Sequence, residues 1–588
     1  MQHDFHFADR RQRSGITFLN RIVDDAGKAY KKVHYDHGTG LCATDDYLYF
    51  VTQRGSNELW RNLGGGRFEN ITAAAGLRMP DAIAVACAFA DIDNDGLPDL
   101  FVTTVRHGNR LFKNAGGGRF SDITAAAGVG YVGHSSGAVF FDYDGDGLVD
   151  LFVTNVGVYT TDSMGAGGYY VGLPDAFHGH THPERSEASI LYRNLGNDRF
   201  QNVTKTTGLV DLSWSGDATV LDANDDGWPD LYVLDMQGKN HLWLNDGGKR
   251  FHDASAQFFP KTPYGAMGVK SFDFNGDGRL DLFVTDMHSD MWVNIPAGYW
   301  DVETEKVDSS QAASDYFPDG KAPFIFGNAL YAKLGGGKFE EVSDSLGVEN
   351  YWPWGPSVDD INADGWDDIF IASSMNFPHR YGINSLLLNE AGRHFLPSEF
   401  TLGVEPRPNG DTAQVWFTLD CQGEDRENPL CVACAEAGAS IGCRRGAEGH
   451  DTVLGSLGSR SAVLLDLDGD GDLDIVTNEF NGPPQVLISD LAQRHHIHYL
   501  NVRLRGTHSN REGLGAQVTV ILPDGRRILK VMDGKSGYLS QSDLPLYFGL
   551  GDADHADSLI VQWPAPSGRR QPVAGPLPSG KPVEVTEP

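Results

Sequence analysis

The 588-residue chain has no apolar run of membrane-spanning length, and its first residues, MQHDFHFADRRQRSG, lack the apolar core of a secretory signal. Insertion into a bilayer is not expected. Cationic side chains are in short supply, since 47 lysines and arginines stand against 80 aspartates and glutamates, a formal net charge of −33. Nucleic acid and anionic membrane surfaces would be repelled by such a chain and are not expected as partners. No P-loop, dinucleotide-binding glycine fingerprint or Ser-His-Asp signature is present, and six cysteines are too few for a disulfide scaffold. What is plentiful is glycine, with 71 residues beside 28 prolines, which points to many tight turns and an all-β fold.

A chain this long holds one core only if that core is repetitive. Near-identical segments do recur: NELWRNLGGGRFENITAAAGL from Asn57, NRLFKNAGGGRFSDITAAAGV from Asn109, SILYRNLGNDRFQNVTKTTGL from Ser189, NHLWLNDGGKRFHDASAQFFP from Asn240, NALYAKLGGGKFEEVSDSLGV from Asn328 and NSLLLNEAGRHFLPSEFTLGV from Asn384. Each reads as strand, glycine-rich turn and strand. Between them an apolar strand runs into an acidic loop and out through a second apolar strand, so each unit supplies four short strands, the blade of a propeller.

The acidic loop D-x-[DN]-x-D-G-x-x-D occurs six times. Its oxygen-bearing positions are Asp91, Asp93, Asp95 and Asp99; Asp142, Asp144, Asp146 and Asp150; Asp222, Asn224, Asp226 and Asp230; Asp273, Asn275, Asp277 and Asp281; Asp360, Asn362, Asp364 and Asp368; and Asp466, Asp468, Asp470 and Asp474. Four oxygen side chains around a turn-forming glycine suit a hard cation that takes six to eight oxygens in flexible geometry, calcium rather than magnesium. An EF-hand is excluded, because that motif needs flanking helices and a glutamate at its twelfth position, where the first loop has Val102 and a β-rich continuation. The ligand positions hold 21 aspartates, and about six divalent ions would bring the formal charge from −33 to −21.

The stretch HYDHGTGLCATDDYLYFVT before the first hairpin has the strand pattern with a shortened loop and reads as a degenerate first blade, making seven. The expected organisation is a seven-bladed β-propeller over residues 1–490, with insertions near 155–188, 285–327 and 405–458, and a β-sandwich domain over 491–588. In that tail the segments YLNVRLRG, AQVTVILP, RRILKVM and SLIVQW read as strands of a packing or interaction module.

The loop repeats resemble FG-GAP or integrin-α-type (VCBS) propeller repeats, and SNREGLGAQVTVILPDGR from Ser509, SGYLSQSDLPLYFGLG from Ser536 and DSLIVQWP from Asp557 resemble the ASPIC/UnbV domain. The pairing is similar to the cartilage acidic protein 1 family and its bacterial relatives. The resemblance implies a binding role, through secreted matrix proteins of animals, and equally a biosynthetic one, through the natural-product cluster that gave UnbV its name. An extracellular or periplasmic location with the leader absent from this sequence is the expectation, with a cytoplasmic one as the alternative.

Four cysteines, Cys421, Cys431, Cys434 and Cys443, cluster in one insertion. Two disulfides are the first expectation, and a zinc site or free thiols remain open. Cys42 and Cys87 hold similar inner-strand positions and read as buried small apolar residues. If the acidic loops lie at one face, the turns at the opposite face carry His37, His134, Trp214, Met267 and Trp354 on the way into the inner strands. Turns leaving the second strands carry His107, His178, His180, His182, Asp286, His288, Asp290 and Glu479. All would ring the mouth of the central channel. His37, His134, His180 and His288 are the candidates for a catalytic site or for an additional transition metal there. Two functions follow. In the first, the chain is a binding or scaffold module that engages a protein, glycan or small molecule at the mouth. In the second, it is an enzyme of specialised metabolism with a His/Asp metal or acid–base site in the same place.

Overall fold

A sheet covered on both faces needs strands that are apolar throughout, and runs such as AVACAFA and DLFVTT meet that demand: every residue of Ala84–Ala90 and Asp99–Thr104 is buried. The computed structural model describes residues 3–23, 38–165, 168–173, 175–176, 182–287, 324–374, 381–438 and 443–588. Among these residues seven four-stranded antiparallel units succeed one another, with innermost strands Leu41–Ala43, Ala84–Ala90, Ser135–Phe141, Ser215–Leu221, Ala266–Phe272, Pro353–Asp359 and Ser459–Leu465. Each innermost strand packs beside the next and the last beside the first, which closes the ring of a propeller. The closing unit borrows its outermost strand from the N-terminus, where Ala8–Asp9 pairs with Val486–Ile488. So short a strand has no sequence signature, and the first residues gave no sign of it.

Neighbouring units are tied by a repeated threonine on the second strand. Thr103, Thr154 and Thr285 each accept an N–H from a bulge in their own inner strand and donate to a carbonyl of the next unit's inner strand, at Ser136, Gly216 and Trp354. A second tie lies further out. Asn194, Asn245 and Asn389 donate their side-chain N–H to the backbone of the preceding unit's acidic loop, at Ile92, Tyr143 and Phe274, over 2.8 to 2.9 Å. These are the asparagines of the recurring hairpin, so one repeated residue joins each of these three units to the loop before it.

Cys42 and Cys87 form a disulfide with a Cα separation of 6.0 Å, which corrects the reading of the pair as small apolar fillers. The two stand on the adjacent inner strands Leu41–Ala43 and Ala84–Ala90, a proximity that a sequence separation of 45 conceals. The insertion before the last unit carries the other two bridges, Cys421–Cys431 and Cys434–Cys443. They staple the helix Pro429–Ala437 to a small sheet of Ala413–Asp420, His450–Ser456 and Cys443–Arg444. Such a segment has little apolar content of its own, and cross-links restrict it.

The C-terminal β-domain packs two sheets around Leu504, Val518, Phe548 and Trp563. One sheet orders Leu546–Gly549, Tyr499–Arg505 and Pro582–Thr586, and the other Arg527–Val531, Gln517–Ile521, His555–Gln562 and Arg570–Pro578. From this domain a hairpin, Lys535–Gly537 with Ser540–Gln541, enters the propeller channel. Ser540 and Gln541 pair in parallel with Cys87 and Ala88. Ser540 and Ser542 accept from Leu41 and Ala43, Gln541 exchanges two hydrogen bonds with Phe140, and Tyr538 accepts from Ser461. Lys270 reaches Asp533 at 2.7 Å, and Tyr538 lies against Trp354 at 5.5 Å between ring centroids. A Cβ on Gly355 would stand 2.4 Å from Tyr538 Cβ, so this approach requires glycine. Lys535 then binds Asp217 at 2.6 and 2.5 Å, with both side chains buried. The inserted segment therefore meets the inner strand of every unit.

Removing one partner of a buried ion pair strands the other charge, so Lys535→Ala should cost about 3–5 kcal/mol. The double variant Lys535→Met/Asp217→Leu should recover most of that loss. Denaturant melts of the three proteins check this, and a single-variant loss under about 1 kcal/mol, the size of an exposed pair, would show that the pair is not buried against the channel wall.

Candidate metal centres

Each acidic loop is folded by its own carboxylates. In the loop from Asp91, the Asp91 oxygens accept the N–H of Asp95 at 3.0 Å and of Gly96 at 2.6 Å, and Asp95 accepts from Leu97 at 2.8 Å. The same pattern recurs at Asp222, Asp273 and Asp360. The glycine at the sixth position has a left-handed backbone in all six loops, with φ from 82° to 100°, which is why no other residue takes that place.

The ninth-position aspartate behaves differently from the rest. Asp99, Asp150, Asp230, Asp281, Asp368 and Asp474 are fully buried, and each accepts two backbone N–H groups, one from its own loop and one from the third strand or its extension. Burial pushes Asp99 up to about 7 and Asp230 and Asp281 up to about 8, with neighbouring loop carboxylates adding to the shift. Burial likewise raises Asp91 to about 6 and Asp142 to about 7, and in Asp142 the charges of Asp146 and Asp144 contribute.

Three loops gather carboxylate oxygens within 4.8 Å of one another: Asp91, Asp93 and Asp99; Asp142, Asp144 and Asp146; and Asp466, Asp468 and Asp474. In each the third-position side chain keeps one buried oxygen without a hydrogen-bond donor, at Asp93 Oδ1, Asp144 Oδ1 and Asp468 Oδ1. An unpaired buried carboxylate oxygen is costly, and a divalent cation is the partner that an all-oxygen donor set fits. In two of the remaining loops an asparagine amide takes up the strain, Asn224 donating to Asp226 at 2.9 Å and Asn362 to Asp364 at 3.1 Å. Cations of the chain also reach the loops: Lys113 pairs with Asp93 and lies 3.5 Å from Asp99, and Arg193 lies 2.6 Å from Asp144 and 3.1 Å from Asp146.

The C-terminal domain sits on this loop face. Glu512 accepts the N–H of Asp91 at 2.9 Å and Arg511 donates its N–H to Asn94 at 2.8 Å. Gly551 donates to Ala363 at 3.0 Å, and Tyr547 Oη donates to Gly471 at 3.1 Å. At the loop from Asp142, added Cβ atoms on Gly145 and Gly147 would stand 2.5 Å from Pro566 and 2.8 Å from His508. Sequence reasoning missed this seating, because a hydrophilic edge such as NREG carries no sign of what it will face.

At the opposite mouth, Trp214, Met267 and Trp354 do meet, in one buried apolar cluster with Tyr159, Met236 and Tyr538. His134 is buried beside them, its ring nitrogens 3.1 Å from Glu187 and 2.8 Å from Thr160 Oγ1. His107 Nδ1 lies 2.7 Å from the Val105 carbonyl, and His182 lies 3.0 Å from Glu184. His37, His178, His180, His288 and Asp290 lie outside the described residues. Glu479 is buried against Arg407 at 2.6 Å and accepts from Ser459 and Thr477. Arg460, also buried, places its guanidinium 3.3 Å above Trp354 and 4.1 Å above Phe480. Neither arginine was singled out in the sequence, where an isolated RS or PRP carries no pattern.

Fold and loops define a propeller of repeated acidic turns joined to a β-domain, and comparison with known proteins agrees. Residues 44–102, 91–153 and 222–284 match the FG-GAP-like repeat, and residues 506–588 match the ASPIC and UnbV family. The chain carries both elements and is similar to cartilage acidic protein 1. It is 30% identical to the Xenopus tropicalis protein over 43% of this chain and 40% of that one, and 23% identical to the Homo sapiens protein over 82% and 69%. The match thus spans two fifths of the Xenopus protein's length. Among solved structures, Saccharomyces cerevisiae Sqt1 aligns at 8% identity over 75% of this chain and 81% of that one, with a TM-score of 0.35, too slight to bear on the fold.

The two kinds of loop carboxylate should separate by mutation. In chelator, Asp474→Asn loses an acceptor for a buried N–H and should cost about 1–3 kcal/mol, while Asp468→Asn should cost nothing. In calcium both should be destabilised. Equal losses in chelator would contradict the division between a ninth position that also holds the backbone and a third that serves only the ion.

Proposed function

We propose that the protein is a calcium-rigidified binding or scaffold module that engages its partner through the propeller face opposite the acidic loops. The observation that carries this reading is the seating of the C-terminal domain. It covers loops from four units and fills the channel with its hairpin, which leaves the other face as the surface for a partner. Calcium supplies the fixed charge that each loop's crowded carboxylates call for, and the residues that would hold it are the first, third, fifth and ninth positions of the six loops. A protein or glycan suits a broad face of this kind. The apolar packing beneath the mouth and the engagement of both His134 nitrogens support surface binding rather than chemistry within the channel.

Three disulfides support an oxidising location, extracellular or periplasmic. No helix among the described residues is long and apolar enough to cross a membrane.

Because ligand binding stabilises the folded state by mass action, chelation should lower the melting temperature, and by more than about 4 °C if the ions contribute several kcal/mol. It should also open the Asp533–Ser542 segment to proteolysis, since four of the loops that lose calcium seat the C-terminal domain. An unchanged melting curve and cleavage pattern after complete removal of calcium would contradict a structural role for the ion.

A further inference from the structure

The loops that begin at Asp91, Asp142 and Asp466 have one and the same donor set, aspartate at the first, third, fifth and ninth positions. They differ on the neighbouring strand. The residue after the ninth-position aspartate pairs with the third strand of its unit, Leu100 with Phe112, Leu151 with Tyr192 and Ile475 with Leu487. The residue that follows each of those partners is therefore equivalent in the three units, and it is Lys113, Arg193 and Ile488.

Two of these loops thus have a cation of the chain beside them. Lys113, largely buried, pairs with Asp93 and stands 3.7 Å from Asp95 and 3.5 Å from Asp99. Arg193 places Nε 2.6 Å from Asp144 and a terminal nitrogen 3.1 Å from Asp146. Among the described residues no lysine or arginine pairs with Asp466, Asp468, Asp470 or Asp474. The carboxylates that Lys113 and Arg193 hold are the ones a divalent ion would bind, and like charges a few ångströms apart repel, so side-chain cation and calcium compete for them. A long side chain on a folded strand can yield without moving the backbone. For Lys113 a second partner is at hand, since Asp198, in the hairpin turn of the next unit, lies 3.6 Å from its Nζ.

We infer that Lys113 and Arg193 are tethered counter-ions, which hold the loops from Asp91 and Asp142 in shape without metal and lower their calcium affinity below that of the loop from Asp466. The inference rests on calcium being the ligand of the loops, and it orders their filling: of the three, the loop from Asp466 fills first. The loop from Asp91 meets Glu512 and Arg511 of the C-terminal domain, and the loop from Asp142 meets Pro566 and His508. The seam at these two units therefore keeps its shape when calcium is scarce. A salt bridge that merely braces the hairpin is the plain alternative, and its loss would cost stability alike with and without calcium.

The test is calorimetric titration of the calcium-free full chain with calcium, beside melts in calcium and in chelator. Lys113→Met/Arg193→Met keeps long, unbranched side chains and should tighten two sites by about tenfold. Lys113→Arg, which keeps the charge, should tighten none, and Ile488→Lys should weaken one site by a similar factor. The double methionine variant should melt lower than the unaltered chain in chelator, and its rise in melting temperature on adding calcium should be larger. Unchanged or weaker calcium binding by that variant would overturn the inference and leave the calcium reading standing. So would an equal fall in its melting temperature in calcium and in chelator. No calcium uptake by the unaltered chain would instead refute the calcium reading, and the inference with it.

Discussion

The structure depends on how the centre of the ring is filled. Seven inner strands in a ring point their edges at a channel, and buried backbone groups must find partners. This chain supplies them from its own far end: DGKSGYLSQSD, a run rich in glycine and serine, is slender enough to enter and polar enough to bond. Ser540, Gln541 and Ser542 satisfy the inner strands of the first three units, Lys535 neutralises Asp217 in the fourth, and Asp533 meets Lys270 in the fifth. The propeller and its C-terminal domain are thus tied through every unit, and four of the six acidic loops lie at the seam between them.

That placement links the metal chemistry to the architecture. A loop of three or four aspartates is strained by its own charge, and the cost rises where burial removes water. The chain meets part of the cost with N–H donors and with Lys113 and Arg193, yet it leaves Asp93, Asp144 and Asp468 each with an oxygen unserved. Calcium at those positions would stiffen the surface on which the C-terminal domain rests, so ion binding and domain seating would reinforce each other.

The fold was legible because its signals are local and repeated. The hairpin segments, the glycine at the sixth loop position and the apolar strands on either side of each loop can be read one unit at a time. The matching of residues 506–588 to the ASPIC and UnbV family bears out a resemblance carried by short runs such as DSLIVQWP. What stayed hidden is long-range. The strand Ala8–Asp9 completes a unit hundreds of residues away, Cys42 meets Cys87 only where two successive units pack side by side, and SGYLSQSD gives no hint of a channel. His134, a candidate for the mouth of the channel, is buried and held to Glu187 and Thr160. A histidine's availability is a property of its neighbours and cannot be read from its turn.

Calcium in the acidic loops would underlie both the stiffness of the ring and the seating of the C-terminal domain, and a direct count of bound metal tests its presence. The full chain, dialysed against calcium-free buffer after saturation and analysed for metal per mole of protein, should retain close to six calcium ions, one for each loop. Retention of about one ion or none, with the fold intact by circular dichroism, would contradict it and leave the acidic loops as turns held by hydrogen bonds alone.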